Sequence, residues 1–233
     1  MYDGYQKYGA DEAADYEELR KKEALWWQEE QFIADYFAGH QPRSILDAPV
    51  GTGRFLSHYA NAEEVIGIDI SEQMLAESAR KLADTRLAHV VLQRGDIFKL
   101  DFPANHFNLT ICWRFAHLVP AELLGNALRE LGRVTEGSIL LQTYVGRPDW
   151  QRKLTSLRRL PGKLLRRMVG NSPPALPWGH IRAYFHTHET IAAKIAEAGL
   201  IIEQQTAIGP YDDSQVYVYQ LAKTETGRQR RDS

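Results

Sequence analysis

The 233 residues carry a formal net charge of −2, with 44% hydrophobic and 25% charged residues, the balance of one globular α/β domain rather than a disordered or nucleic-acid-coating chain. The single cysteine, Cys112, excludes an intrachain disulfide and fits a reducing compartment. No run approaches the ~20 apolar residues of a bilayer span, and the start Met-Tyr-Asp-Gly-Tyr lacks the basic and apolar regions of a signal peptide, so a cytoplasmic protein is expected.

Residues 1–38 are acidic and aromatic, with ten Asp or Glu against four Lys or Arg. From about Asp15 the spacing of Leu19, Trp26, Ile33 and Phe37 predicts a helix that Gly39 stops. These aromatics either close over a ligand as a helical lid or, as with Trp26 and Trp27, pack the helix onto the sheet; packing is the expectation for Trp26, and a lid role stays open for Tyr8 or Tyr16. After Pro42 comes the most informative run, Ser44-Ile-Leu-Asp-Ala-Pro-Val-Gly-Thr-Gly-Arg-Phe55. Ile45 and Leu46 read as a short buried strand ending in Asp47. Gly51 and Gly53 permit a sharp turn with close ligand approach, and a helix is predicted from Arg54 through Phe55, Leu56 and Tyr59. Residues 64–70 form a second strand ending in Asp69, placed to accept ribose hydroxyls. The unit is a nucleoside-binding βαβ.

Downstream, Ser71 caps a helix with the stripe Met74, Leu75, Ala79 and Leu82. Residues 89–93 and 109–113 are the third and fourth strands, and a helix spans about 120–133. Gly137 turns the chain into a fifth strand, 138–144. Thr187 caps a helix carrying Ile191, Ile195 and Ala198, ended by Gly199. Residues 200–204 and 215–221 are two more strands joined by a Gly209-Pro210 turn segment, too short for a parallel crossover and hence antiparallel. Residues 146–180 stand outside this pattern. Between Arg147 and Arg167 lie eight Arg or Lys and one Asp, interleaved with Leu154, Leu157, Leu160, Leu164 and Leu165, which predicts two short amphipathic helices. Residues 223–233 read as a disordered tail.

Two ligands compete for the βαβ unit. A dinucleotide site needs a third small residue in G-x-G-x-x-G, where this chain has Leu56, and Asp47 is poorly placed beside a pyrophosphate. The segment Asp47-Ala-Pro-Val-Gly-Thr-Gly53 instead resembles the D-x-G-x-G-x-G loop of class I S-adenosylmethionine-dependent methyltransferases, with Pro49 departing at the first glycine position. Proline there can neither take φ > 0 nor donate an N–H. The resemblance covers about 40–145 and 180–222 and implies a Rossmann-like, doubly wound seven-stranded sheet whose last strand is antiparallel. One methyltransferase domain over 1–222 is expected, with an N-terminal helical lid over 1–38 and a basic helical insertion over 146–180.

The resemblance also implies S-adenosylmethionine as cofactor, held by Asp47, Ala48, Gly51, Gly53, Asp69, Ile70, Met74, Asp96, Ile97 and Trp113. In that set Asp96 meets the adenine amino group and the next backbone N–H meets the ring. Trp113, Arg114 and His117 follow the fourth strand, and the resemblance places them beside the methionine part and the acceptor. His117 is a candidate proton acceptor or a structural cap, and Tyr144 at the fifth strand's tip is a second catalytic candidate. The cluster His180, Arg182, Tyr184, His186 and His188 has only Glu189 as a local acid and no cysteine, so no metal is expected. The expected reaction is direct displacement on the sulfonium methyl by a small-molecule acceptor. The basic insertion favours an anionic acceptor, either a soluble metabolite or one linked to lipid or glycan. One basic patch without a separate RNA-binding module is weak support for RNA methylation. Non-catalytic binding of cofactor or of a partner is the reading from another class, and a dehydrogenase would bind NAD(H).

Overall fold

A computed structural model of the chain describes residues 21–83, 85, 87, 89–146, 184–212 and 214–224. Seven strands form one sheet: β1 Ser44–Asp47, β2 Glu64–Asp69, β3 Val90–Arg94, β4 Phe107–Cys112, β5 Thr135–Gly146, β6 Leu200–Tyr211 and β7 Ser214–Lys223. Their order is β3-β2-β1-β4-β5-β7-β6. β1 to β5 are mutually parallel, whereas β7 runs antiparallel to both β5 and β6. The expected doubly wound sheet with an antiparallel last strand is what forms.

Both faces of this sheet are covered, so its central strands read as continuous apolar runs rather than alternating ones. Leu46, Ile68, Leu141 and Leu221 point into one core with helices α3 (Ala121–Val134) and α4 (His188–Glu197). Their neighbours Ile45, Val65, Leu140 and Val218 point into the other. That second face is covered by α1 (Ala24–Gly39), a short 3-10 turn Leu56–Tyr59, and α2 (Glu72–Ala83).

Local departures from the sequence expectation have physical causes. The helix predicted from Arg54 is only the 3-10 turn Leu56–Tyr59, because α1 brings Ile33 and Phe37 onto the same patch and leaves one turn's space there. In α2 the inward small residue is Ser78, fully buried, while Ala79 is exposed. Gly53 explains this: a Cβ there would lie 2.3 Å from the Ser78 Oγ, so the loop closes on the helix at a position where the loop has no side chain and the helix a small one. β5 starts straight after α3, and Gly137 lies inside it, where a side chain would strike the Asn108 carbonyl beside the β4 bulge. Gly209 and Pro210 lie within β6 rather than at a turn. A strand edge tolerates proline's missing N–H, and the reversal falls after Tyr211, with Asp212 at φ +52°. Lys223, assigned to the tail, still pairs with Leu200. Among the described residues no helix is long and apolar enough to cross a membrane. The N-terminal aromatics before residue 21, nearly all of the basic insertion, His180, Arg182 and the tail beyond 224 lie outside the described residues.

Candidate functional site

The strand order reverses between β1 and β4, and at such a switch point the carboxyl ends of parallel strands leave a crevice. A cavity of about 170 Å³ occupies it. Its lining comes from the ends of β1 (Asp47), β2 (Asp69, Ile70), β3 (Gly95, Asp96, Ile97) and β4 (Trp113, Arg114), with Gly51 from the loop, Met74 from α2 and Trp26 from α1. Eight of the ten sequence-predicted cofactor residues line it. Ala48 and Gly53 do not: Ala48 is buried in the core, and Gly53 supports the loop from behind against Ser78.

Three carboxylates mark one half of the cavity. Asp69 is nearly buried and accepts from the Gly51 N–H and the Ser71 N–H, each at 2.9 Å, so it ties the glycine loop to the start of α2. Gly51 adopts φ +57°, the left-handed conformation that presents its N–H to Asp69. Burial raises the Asp69 pKa, and the N–H groups of Ser71 and Gly51 oppose that rise. Asp47 is fully buried, and its carboxyl is pushed up to about 7 by desolvation, aided by the nearby Asp69 charge and opposed by a hydrogen bond from the Tyr59 hydroxyl at 2.7 Å. Asp96 accepts from the Phe98 N–H at 2.9 Å. A cluster of carboxylates held out of water favours a cationic guest, which would relieve their mutual repulsion.

The other half is aromatic and cationic, and spacing in the sequence did not foretell it. Glu29 of α1 is completely buried. Its Oε2 receives Arg54 Nη1 at 2.7 Å and lies 3.6 Å from Arg114 Nη1, while its Oε1 accepts from Gln142 Nε2 at 3.1 Å. Arg54 also reaches Glu30 and the Trp26 carbonyl, and its guanidinium stacks 3.5 Å from the centre of the Trp26 ring. Trp26 therefore both packs α1, as expected, and walls the cavity, whereas Trp27 is 60% exposed. Trp113 lies edge-on to Phe55, and its buried indole N–H has no hydrogen-bond partner among the described residues, although the ring lines the cavity. The visible signal was a helix face carrying Glu29 and Glu30 one turn after Trp26; its partners lie far along the chain.

His117 and Tyr144 are not part of the lining. Their rings meet edge to face at 4.7 Å on the far side of Arg114, whose guanidinium sits 5.7 Å from the Tyr144 ring centre. The described members of the downstream cluster do structural work. His186 bonds the Ala116 and Val119 carbonyls, His188 pairs with the Tyr219 hydroxyl at 2.7 Å, and the Tyr184 N–H donates to the His117 carbonyl.

Comparison with known proteins agrees with this geometry. Residues 45–137 match the family model described as a methyltransferase domain. Over 106 residues, 44% of the chain, the sequence is 30% identical to a phosphatidylethanolamine N-methyltransferase of Cereibacter sphaeroides, covering 51% of it. Over 98 residues, 40% of the chain, it is 33% identical to a demethylmenaquinone methyltransferase of Halalkalibacterium halodurans, covering 39% of it. The matches thus span about half or less of those curated relatives. The crystal structure of Burkholderia thailandensis 1,6-didemethyltoxoflavin-N1-methyltransferase, with bound 1,6-didemethyltoxoflavin and S-adenosylhomocysteine, is similar at a TM-score of 0.64 and 15% identity, over 92% of this chain and 84% of that one. Residues 45–137 are thus similar to a methyltransferase domain, and they supply the strand ends that line the crevice at the switch point.

Proposed function

We propose that this protein transfers a methyl group from S-adenosylmethionine to a small-molecule acceptor. One observation carries the reading: three carboxylates, Asp47, Asp69 and Asp96, converge on one cavity from the ends of adjacent parallel strands, beside a glycine loop in the left-handed conformation. The residues fit the cofactor. Asp69 keeps acceptor capacity for ribose hydroxyls after receiving its two backbone N–H groups. Asp96 and the Ile97 N–H take the adenine edge, with Ile70 and Met74 packing its faces. Asp47 faces the amino-acid end, and the Trp113 ring walls the cavity.

When bound, the cofactor supplies an electrophilic methyl on a sulfonium. The protein holds donor and acceptor in line, so orientation accounts for much of the acceleration. Where the acceptor must lose a proton, His117 and Tyr144, adjacent beyond Arg114, are the groups within the fold to take it. An amphiphilic, anionic acceptor is the class we favour. Support comes from the leucine-bearing basic sequence between Arg147 and Arg167 and from similarity to enzymes named for a phospholipid and a menaquinone precursor. The test is turnover to S-adenosylhomocysteine with candidate acceptors, free and in anionic vesicles. Turnover only on neutral, soluble acceptors would remove the acceptor class and keep the transferase.

A further inference from the structure

Removal of a proton from an acceptor depends on where His117 and Tyr144 are held, and the two residues come from separate elements. His117 lies in the single 3-10 turn Ala116–Leu118, and Tyr144 lies near the C-terminal end of β5. A lone 3-10 turn is a weak element, and the carbonyls at its end need partners from elsewhere. Here those partners come from one short strap.

The strap is Tyr184–His186, which runs beside the end of β5 just before Thr187 caps α4. Its backbone belongs to the strand. His186 pairs in parallel with Val145, and the Gly146 N–H donates to the His186 carbonyl at 3.3 Å. Gly146 admits so close an approach, since a Cβ there would lie 3.1 Å from the Phe185 ring. Its donors go to the turn. The Tyr184 N–H donates to the His117 carbonyl at 2.8 Å, and His186 Nε2 donates to the Ala116 carbonyl at 2.9 Å and to that of Val119 at 3.2 Å. Facing two carbonyl oxygens, Nε2 must carry the ring proton. His186, Ala116 and Val119 are all buried, so water cannot replace these bonds. Beyond Thr187, α4 sinks Ile191 and Ile195 into the core, so the strap is anchored on a rigid element. One residue thus grips the strand beside Tyr144 with its backbone and the turn around His117 with its ring.

Resting on the proton role proposed above for His117 and Tyr144, we infer that His186 is the positioning residue of that pair, the tie that holds the two rings edge to face at 4.7 Å. Without the Nε2 donor the turn is released from the strand, and the rings lose their fixed separation.

The probe is the His117 ring itself, read by NMR on the full chain isotope-labelled at histidine Cε1, with no cofactor or acceptor added. His117→Gln assigns its signal, and Tyr144→Leu should move that signal by removing the neighbouring ring's current. His186→Ala should remove the same ring-current displacement in a protein that still melts cooperatively. His186→Gln should keep it, because the glutamine amide nitrogen reaches about as far as Nε2 and can donate to both carbonyls. Where His186→Ala fails to fold, His186→Asn carries the test: it stays polar but ends short of the carbonyls, and it too should lose the displacement. A purely structural role would lower the melting temperature and leave the His117 signal in place. That result, or a His186→Gln variant that loses the displacement, or a Tyr144→Leu variant that leaves the signal unmoved, would overturn the assignment. Unchanged turnover in the vesicle assay above by a folded His186→Ala that has lost the displacement would instead overturn the proton role of the pair.

Discussion

The two halves of the cavity are built on different principles. The acidic half comes from consecutive strands, Asp47 and Asp69 closing β1 and β2 and Asp96 lying just past β3, and Asp69 is joined to the loop only 18 positions before it. The aromatic–guanidinium half is assembled from four distant stretches: Glu29 meets Arg54 across 25 positions and Gln142 across 113. A site made of local units tolerates loss of one ligand contact without losing the fold. A site made of long-range buried charges does not, because removing one member strands the others in a poorly solvated place.

The largest expected effect therefore lies in the long-range half. Trp26→Ala should destabilise the protein by about 3–5 kcal/mol, since it removes a buried ring and the face on which Arg54 rests. The adjacent Trp27→Ala should change stability by no more than about 0.5 kcal/mol. Chemical denaturation measures both, and equal effects would erase the distinction between wall and surface.

Next come the two glycines of the local half. Gly53→Ala should cost about 2–4 kcal/mol, combining φ +71° with a Cβ 2.3 Å from Ser78, and should act on folding. Gly51→Ala has φ +57° but open space beyond it, so about 1–2 kcal/mol is expected. Its loss should be accompanied by weaker ligand binding, because Gly51 lines the cavity. A Gly53 variant that melts normally would break the packing account.

Asp69→Ala should lower S-adenosylhomocysteine affinity by about 1.5–3 kcal/mol, the worth of a hydrogen bond to a charged acceptor, with added loosening of the loop that Gly51 and Ser71 anchor. Unchanged affinity would remove Asp69 from the ribose site.

A smaller effect concerns pH. The folded Asp47 carboxyl is raised from 3.8 to about 7 by burial, so its contribution to stability is full below pH 3.8 and is lost as pH rises through about 7. Asp47→Asn escapes that loss, and its melting temperature should gain on the native protein's as pH goes from 5 to 8. Binding follows the opposite sign. A cationic ligand needs the ionised carboxyl, so native affinity should fall by about tenfold per pH unit below 7, and the Asn variant should lack that slope.

How much of this was legible follows the same division. Asp47, Gly51, Asp69 and Asp96 announce themselves because a strand's apolar run must end somewhere, and what ends it lies at the crevice. Likewise, a connection of a few residues between the last two strands dictates their antiparallel order. The chain's local pattern could not reveal that Glu29 would be fully buried, since an acidic residue on a helix is ordinarily solvated and its three polar partners come from other elements. Trp26 and Trp27 are indistinguishable as residue types; only the helix phase set by Ile33 tells them apart. Gly137 and Gly209 read as turns because glycine usually marks them. Here each sits inside a strand to admit a neighbour, the Asn108 carbonyl in one case and the Gln28 side chain in the other.

The central claim, that the acidic strand ends form an S-adenosylmethionine site, is tested most directly by titrating the purified full chain at pH 8 with S-adenosylhomocysteine and, separately, with NAD. Saturable one-site binding of S-adenosylhomocysteine, weakened by about tenfold or more in Asp69→Ala, is expected, with no binding of NAD. Binding of NAD, or no heat with S-adenosylhomocysteine from a folded protein, would contradict it.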